Sequence, residues 1–167
     1  MKHEHANPHE LELEHHYDRD NLYIDMDGVV ADYYKHSLVQ DTRSEGYFLG
    51  LELIDGATDA IALLSQHYNV YFLSTAPWSN PFAWMEKRIW LEKHFGRLAF
   101  KKLILSHNKG LLKGAILIDD RTAKKVDDFE GTHIHFGTEQ FPNWHEVLCY
   151  TLTSAVYPGA AKYNTQR

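Results

Sequence analysis

The sequence predicts an α/β protein built on a central parallel sheet, and three observations predict it. From residue 22 onward short apolar runs alternate with amphipathic segments, the pattern of strands joined by helical crossovers. Chemistry-bearing polar residues gather just past the ends of those runs rather than inside them. A length of 167 residues, with 44% hydrophobic and 13% aromatic content, suits one domain with a substantial core.

In chain order, residues 1–20 (MKHEHANPHELELEHHYDRD) hold no sustained period and five of the twelve histidines, namely His3, His5, His9, His15 and His16. They predict a flexible polar arm. A metal-binding arm is the alternative, but no spacing there matches a zinc site, so the solvated tail is preferred. The arm is too polar for a signal-peptide core and lacks the arginine bias of a transit peptide. The domain proper is expected over 21–153, with strands at 22–24, 70–73, 102–105, 115–118 and 133–136. Thr58 is the expected N-cap of a helix with Ile61, Leu64 and Tyr68 on one face, ending near Asn69. Asn80-Pro81 then opens a helix with Trp84, Arg88, Leu91 and Phe95 at helical spacing until Gly96. Pro142-Asn143-Trp144 opens the last, through Val147 and Leu148, and residues 154–167 are left as a C-terminal tail.

Composition narrows the function classes. A formal charge of −6 argues against a long nucleic-acid partner, which would need a basic face. No apolar run approaches the ~20 residues of a membrane span, so a soluble, cytoplasmic protein is expected. The single cysteine, Cys149, excludes an internal disulfide framework, suits a reducing compartment and is expected in the core.

The polar residues past the strand ends carry the chemistry. Asp25 and Asp27 follow the first strand, Ser74-Thr75 end the second, Lys109 lies after the third, and Asp119-Asp120 end the fourth. In an open parallel sheet these positions line one crevice. Four aspartates brought together repel unless a cation intervenes, and an all-oxygen donor set favours Mg²⁺ over zinc. Alone, either aspartate pair reads as a cap or a solvated turn; two pairs at two strand ends favour a metal. Lys109 would offset the charge of a bound phosphate, with Lys113 its rival, and Thr75 offers a hydroxyl and an amide to a phosphoryl oxygen. Two carboxylates spaced i, i+2 make covalent catalysis workable. One attacks phosphorus while the other protonates the leaving oxygen and then activates water.

The chain resembles the haloacid dehalogenase superfamily of aspartyl-phosphate phosphatases. DMDGV matches its first motif, FLST the second, the lysine of NKG the third and ILIDD the fourth, with intervals of 48, 34 and 10 residues from Asp27 through Thr75 and Lys109 to Asp119. DMDGVVAD, LSTAPW, the Trp-rich helix ending in EKHFG, LIDDR and FPNW resemble the 5'(3')-deoxyribonucleotidases within it. The resemblance implies a Rossmann-like three-layer α/β/α fold. It implies Asp25 as nucleophile, Asp27 as general acid/base, and Thr75 and Lys109 as phosphate ligands. It also implies Mg²⁺ held by Asp25, the Asp27 carbonyl and the Asp119-Asp120 pair, with Asp120 preferred as the direct ligand. Tyr33 matches an aromatic position beside the nucleoside, the alternative being a half-buried helix residue.

Two features depart from the family pattern. Only residues 33–50 are available as a cap, a minimal one, in which Tyr33, Tyr34, Tyr47 and Phe48 are expected to form an aromatic edge. Ala76 stands where some members carry a hydroxyl. The expected activity is a Mg²⁺-dependent phosphomonoesterase acting on deoxyribonucleoside monophosphates. A phosphatase for another small ester or a polynucleotide end is the alternative, and a non-catalytic regulatory module the rival from another class. A neighbouring subunit or the histidine-rich arm could cover the open site, so an oligomer stays open.

Overall fold

The computed structural model describes residues 19–123 and 125–156, without the side chains of 154–156. The histidines expected in the flexible arm and most of the expected tail lie outside the described residues. The elements run β1 (Asn21–Ile24), α1 (Tyr33–Ser37), α2 (Ala57–Leu64), β2 (Asn69–Ser74), α3 (Ala83–Phe95), β3 (Leu103–Leu105), β4 (Ile116–Asp119), β5 (Thr132–His135) and α4 (Trp144–Val156), with short 3₁₀ turns between several of them. Among the described residues the five strands are all parallel, in the order β3-β2-β1-β4-β5. The chain is therefore α/β, with the Rossmann-like parallel sheet that its sequence predicts.

Strand alternation sorts the core into two faces. Leu22, Ile24, Val70, Phe72, Ile116, Ile118 and Ile134 point to one side, where Ile61 and Leu64 of α2, Trp90 and Phe95 of α3, and Trp144 and Val147 of α4 cover them. Tyr23, Leu73 and Leu117 point to the other, covered by Val126 and Phe129 with Ile104 and Leu112. That second layer is thin. Residues 106–115 and 120–131 are too short to hold a full helix and two turns, so they cover the sheet with 3₁₀ turns at Lys109–Leu111 and Val126–Asp128.

Helix boundaries depart from expectation in small, explicable ways. Helix α2 begins at Ala57 after Gly56, whose φ of 79° makes the turn, so Thr58 is an exposed first-turn residue rather than the cap. Helix α3 begins at Ala83, where Asn80 still organises the entry: its Oδ1 accepts from the Phe82 N–H at 2.9 Å. Its buried stripe is Ala83, Glu86, Lys87, Trp90, Leu91 and Phe95, and the expected Trp84 and Arg88 face solvent. Gly96 caps it with φ 51°. Helix α4 starts as expected, with Asn143 Oδ1 accepting from the Glu146 N–H at 3.2 Å, but runs on to Val156. Cys149 is exposed on α4, because the α2-facing side of that helix is filled by Trp144, Val147 and Thr151. No described helix is long and apolar enough to cross a membrane.

Candidate active site

Asp25 directly follows β1, and its N–H still donates to Ile118 O at 2.8 Å, so the ladder fixes its backbone. Its Oδ1 accepts from the Met26 N–H at 2.8 Å. The chain then folds back sharply, with Met26 O accepting from Val30 and Ala31 N–H and Gly28 at φ 82°. A Cβ on Gly28 would lie 2.5 Å from Asp120 Oδ2. Glycine is thus required both by the left-handed backbone and by the approach of the loop after β4. Trp144 Nε1 donates to Val29 O at 3.0 Å and pins this turn from α4.

Asp25, Asp27, Tyr33, Thr75, Lys109 and Asp119 all line one cleft of about 230 Å³, together with Pro77, Arg121 and Ala123. A larger cleft of about 560 Å³ lies against β3 and the end of α3, but none of the four aspartates lines it. Lys109 is buried between two carboxylates, 3.0 Å from Asp25 Oδ1 and bonded to Asp119 Oδ2. Burial opposes its charge, but Asp25 and Asp119 outweigh that and hold the ammonium above its ordinary value. The rival Lys113 is exposed and faces Glu130 at 3.7 Å.

Asp119 also accepts from the Arg121 N–H at 3.0 Å. Burial and then the Asp25 charge push its carboxyl up to about 7, against the pull of Lys109. Asp120 Oδ2 accepts from the Tyr34 hydroxyl at 2.6 Å, while its Oδ1 is buried with no hydrogen-bond partner. His133 and His135 from β5 brace this pair from behind, with Nε2 3.3 Å from Asp119 O and 3.0 Å from Asp120 O. Carboxylate oxygens of Asp25, Asp119 and Asp120 lie within 4.8 Å of one another. An all-oxygen set with one orphaned buried oxygen fits a hard divalent cation.

Asp27 is held differently. Its Oδ2 accepts from Lys87 Nζ at 2.6 Å, and its Oδ1 is buried without a partner. Burial raises its pKa above the ordinary value, Asp25 adds to the rise, and Lys87 opposes it. Thr75 Oγ1 donates to Ser106 O at 2.8 Å, tying the loop after β2 to the one that carries Lys109. Tyr33 is half-buried at the cleft wall and meets Tyr34 and Tyr47 edge-on.

The expected aromatic edge needs correction. Tyr47 and Phe48 are fully buried, because Glu86 of α3 accepts from the N–H of Gly46 at 2.6 Å and of Phe48 at 3.1 Å and draws that segment inward. Only Tyr33 and Tyr34 remain at the rim. Sequence reasoning also missed Lys87, Ser74 as its second acceptor at 3.0 Å, and Arg121, whose guanidinium lies over both rim tyrosines. The available signal for Lys87 was its phase: it falls on the stripe of Ala83, Trp90 and Leu91.

Comparison with known proteins adds a family likeness. A family model described as 5' nucleotidase, deoxy (pyrimidine), cytosolic type C matches residues 36–154. A Vibrio phage KVP40 protein named "Putative 5'(3')-deoxyribonucleotidase" is 43% identical over 148 residues, covering 82% of this chain and 86% of that protein. A Staphylococcus epidermidis protein of the same name is 29% identical over 135 residues, covering 77% and 74%. The human "5'(3')-deoxyribonucleotidase, cytosolic type" is 30% identical over 108 residues, covering 64% of this chain but 48% of its own length.

Proposed function

Because the chain belongs to the cytosolic type C 5' nucleotidase family of the haloacid dehalogenase superfamily, we propose that it is a phosphomonoesterase acting through Asp25 on deoxyribonucleoside monophosphates. The observation that carries this reading is the convergence of Asp25, Asp27, Thr75, Lys109 and Asp119 from four strand ends on one cleft.

In this mechanism Asp25 attacks phosphorus, the ester P–O bond breaks, and Asp27 gives its proton to the departing oxygen. Asp27 then takes a proton from water as that water attacks the phosphorus of the aspartyl phosphate. Inorganic phosphate leaves and Asp25 is restored. Asp27 suits both tasks, since burial favours its protonated form and Lys87 stabilises the ionised form left behind. Lys109 and Thr75 would hold phosphoryl oxygens, Lys109 exchanging part of its contact with Asp25 for the substrate. Asp25, the Asp27 carbonyl and Asp120 would hold Mg²⁺, with Asp119 fixing Lys109; the ion would offset the charge of the transferring group.

The test is turnover of a panel of deoxynucleoside, ribonucleoside and sugar monophosphates by purified protein with Mg²⁺. Deoxynucleotides should lead by kcat/KM, EDTA should abolish activity, and Asp25→Asn should lower kcat by at least ~10⁴-fold. Equal rates across the panel would remove the nucleotide assignment, and an active Asp25→Asn would remove the covalent mechanism.

A further inference from the structure

We infer that Tyr34 of α1 is the positioning residue for Asp120: its hydroxyl occupies one carboxylate oxygen and leaves the other to a divalent cation. The inference rests on the reading above in which Asp120 holds Mg²⁺, and it adds to that site a residue from the 33–50 segment.

Asp120 is the residue after β4, and His135 Nε2 lies 3.0 Å from its backbone O. Its side chain is only 7% exposed. A carboxylate so far from water needs partners on both oxygens, and here the two are treated unequally. Oδ2 accepts from the Tyr34 hydroxyl at 2.6 Å and has Arg121 Nε 3.6 Å away, whereas Oδ1 is buried with no hydrogen-bond partner. The neighbours that share its cluster, Asp25 and Asp119, are carboxylates too, and ionised carboxylates only accept. The cluster therefore offers Oδ1 no donor, and a hard cation is the partner that suits it.

The Tyr34 hydroxyl has its direction set from outside. Arg121 Nε lies 3.3 Å from that oxygen, and a guanidinium can only donate, so the hydroxyl accepts from Arg121 and turns its own proton to Asp120. This bond fixes the plane of the Asp120 carboxylate, and with it where the second oxygen points.

Tyr34 is itself well held. Asp32 caps α1, its Oδ1 accepting from the Lys35 N–H at 3.1 Å. Tyr33 meets the Tyr34 ring edge-on at 5.8 Å, and the Tyr47 hydroxyl donates to Tyr33 O at 3.3 Å. On the side of the first turn, a Cβ on Gly28 would lie 2.9 Å from Tyr34 Cε2 and 2.5 Å from Asp120 Oδ2. The ring and the carboxylate thus rest side by side on one glycine. Among the described residues, Tyr34 is the α1 side chain bonded to the acidic cluster, across 86 positions of sequence.

A partner that orients a metal-binding carboxylate affects how tightly the ion is held. The test is calorimetric titration of Mg²⁺, without substrate, into the parent, Tyr34→Phe and Asp120→Asn. Tyr34→Phe keeps the ring on Gly28 and removes the hydroxyl, so its Kd for Mg²⁺ should rise roughly 10- to 100-fold. Its Tm in EDTA should stay within about 2 °C of the parent, since Tyr34 is 52% exposed. Equal or tighter binding in Tyr34→Phe, with Asp120→Asn weakened, overturns this inference and leaves Asp120 as a metal ligand. Weaker binding together with a lower Tm in EDTA also overturns it, because the loss would then be one of packing. A parent that binds no Mg²⁺, or an Asp120→Asn variant that binds it as the parent does, overturns both this inference and the metal reading beneath it.

Discussion

Lys87 shows how one residue can set the behaviour of another. Fully buried on α3, it spends its charge on Asp27 Oδ2 and Ser74 Oγ and rests 4.4 Å from the centre of the Phe48 ring. Removing it leaves Asp27 buried beside Asp25 with no neutralising partner of its own. Because Lys87 pulls the Asp27 pKa down against burial, its loss sends that pKa higher still. In the proposed mechanism Asp27 must be protonated to release the leaving group, so kcat/KM should fall as pH rises through its pKa. In Lys87→Met that alkaline limb should move to higher pH, while kcat near neutrality drops roughly 10²-fold because Asp27 no longer ionises readily. A pH profile of the variant with an unmoved limb would show that Lys87 serves packing alone.

At the scale of elements, helix α3 braces the segment proposed as a minimal cap. Glu86 takes the N–H groups of Gly46 and Phe48, and Trp90 Nε1 donates to Leu51 O at 2.8 Å, so residues 46–51 are stapled to the helix. Glu86→Gln exchanges an acceptor oxygen for an amide that cannot accept, leaving one buried donor unpaired. The cost should be about 1–3 kcal/mol, or roughly 2–12 °C in Tm. Amide exchange should accelerate at Gly46 and Phe48 and stay slow in β1 and β4. Uniform acceleration across the sheet would mean that the staple is part of the global fold rather than local to the cap.

The same helix explains what the sequence could disclose. The strands were legible because buried parallel strands are short apolar runs, as in LYI and ILI. The candidate site aspartates and Thr75 stood out because they lie at or within three residues of the ends of those runs, and Lys109 because it lies in the loop after β3. The inward face of α3 was not. Glu86 and Lys87 occupy it, and their hydropathy assigns them to solvent until their partners, 40 and 60 residues away in sequence, are known. For the same reason Tyr47 and Phe48 looked like a free rim. Their burial depends on Glu86, a contact no local periodicity reports.

On the scale of the whole molecule, an acidic protein of charge −6 gathers Asp25, Asp119 and Asp120 in one place, and that strain should be measurable as stability. The Asp119 pKa of about 7 lies above its ordinary 3.8, so the folded state prefers the protonated carboxyl. The associated stability is complete below about pH 4 and is lost as pH rises through 7. Asp27 and Asp120 are raised too and act in the same direction. Lys109 does not oppose them, because it is raised from 10.5 and stays charged throughout this window. In EDTA the Tm should therefore fall between about pH 5 and pH 8. The Mg²⁺ proposed for this cluster would bind its ionised carboxylates, so its stabilising effect should grow over the same interval. At a hundredfold excess over Kd it amounts to ~2.7 kcal/mol, roughly 5–11 °C for a domain of this size. Thermal melts at pH 5 and pH 8, with and without the ion, decide the matter. An equal increment at both pH values would mean that the ion is not relieving the carboxylate cluster, and no increment at pH 8 would mean that the cluster does not hold it.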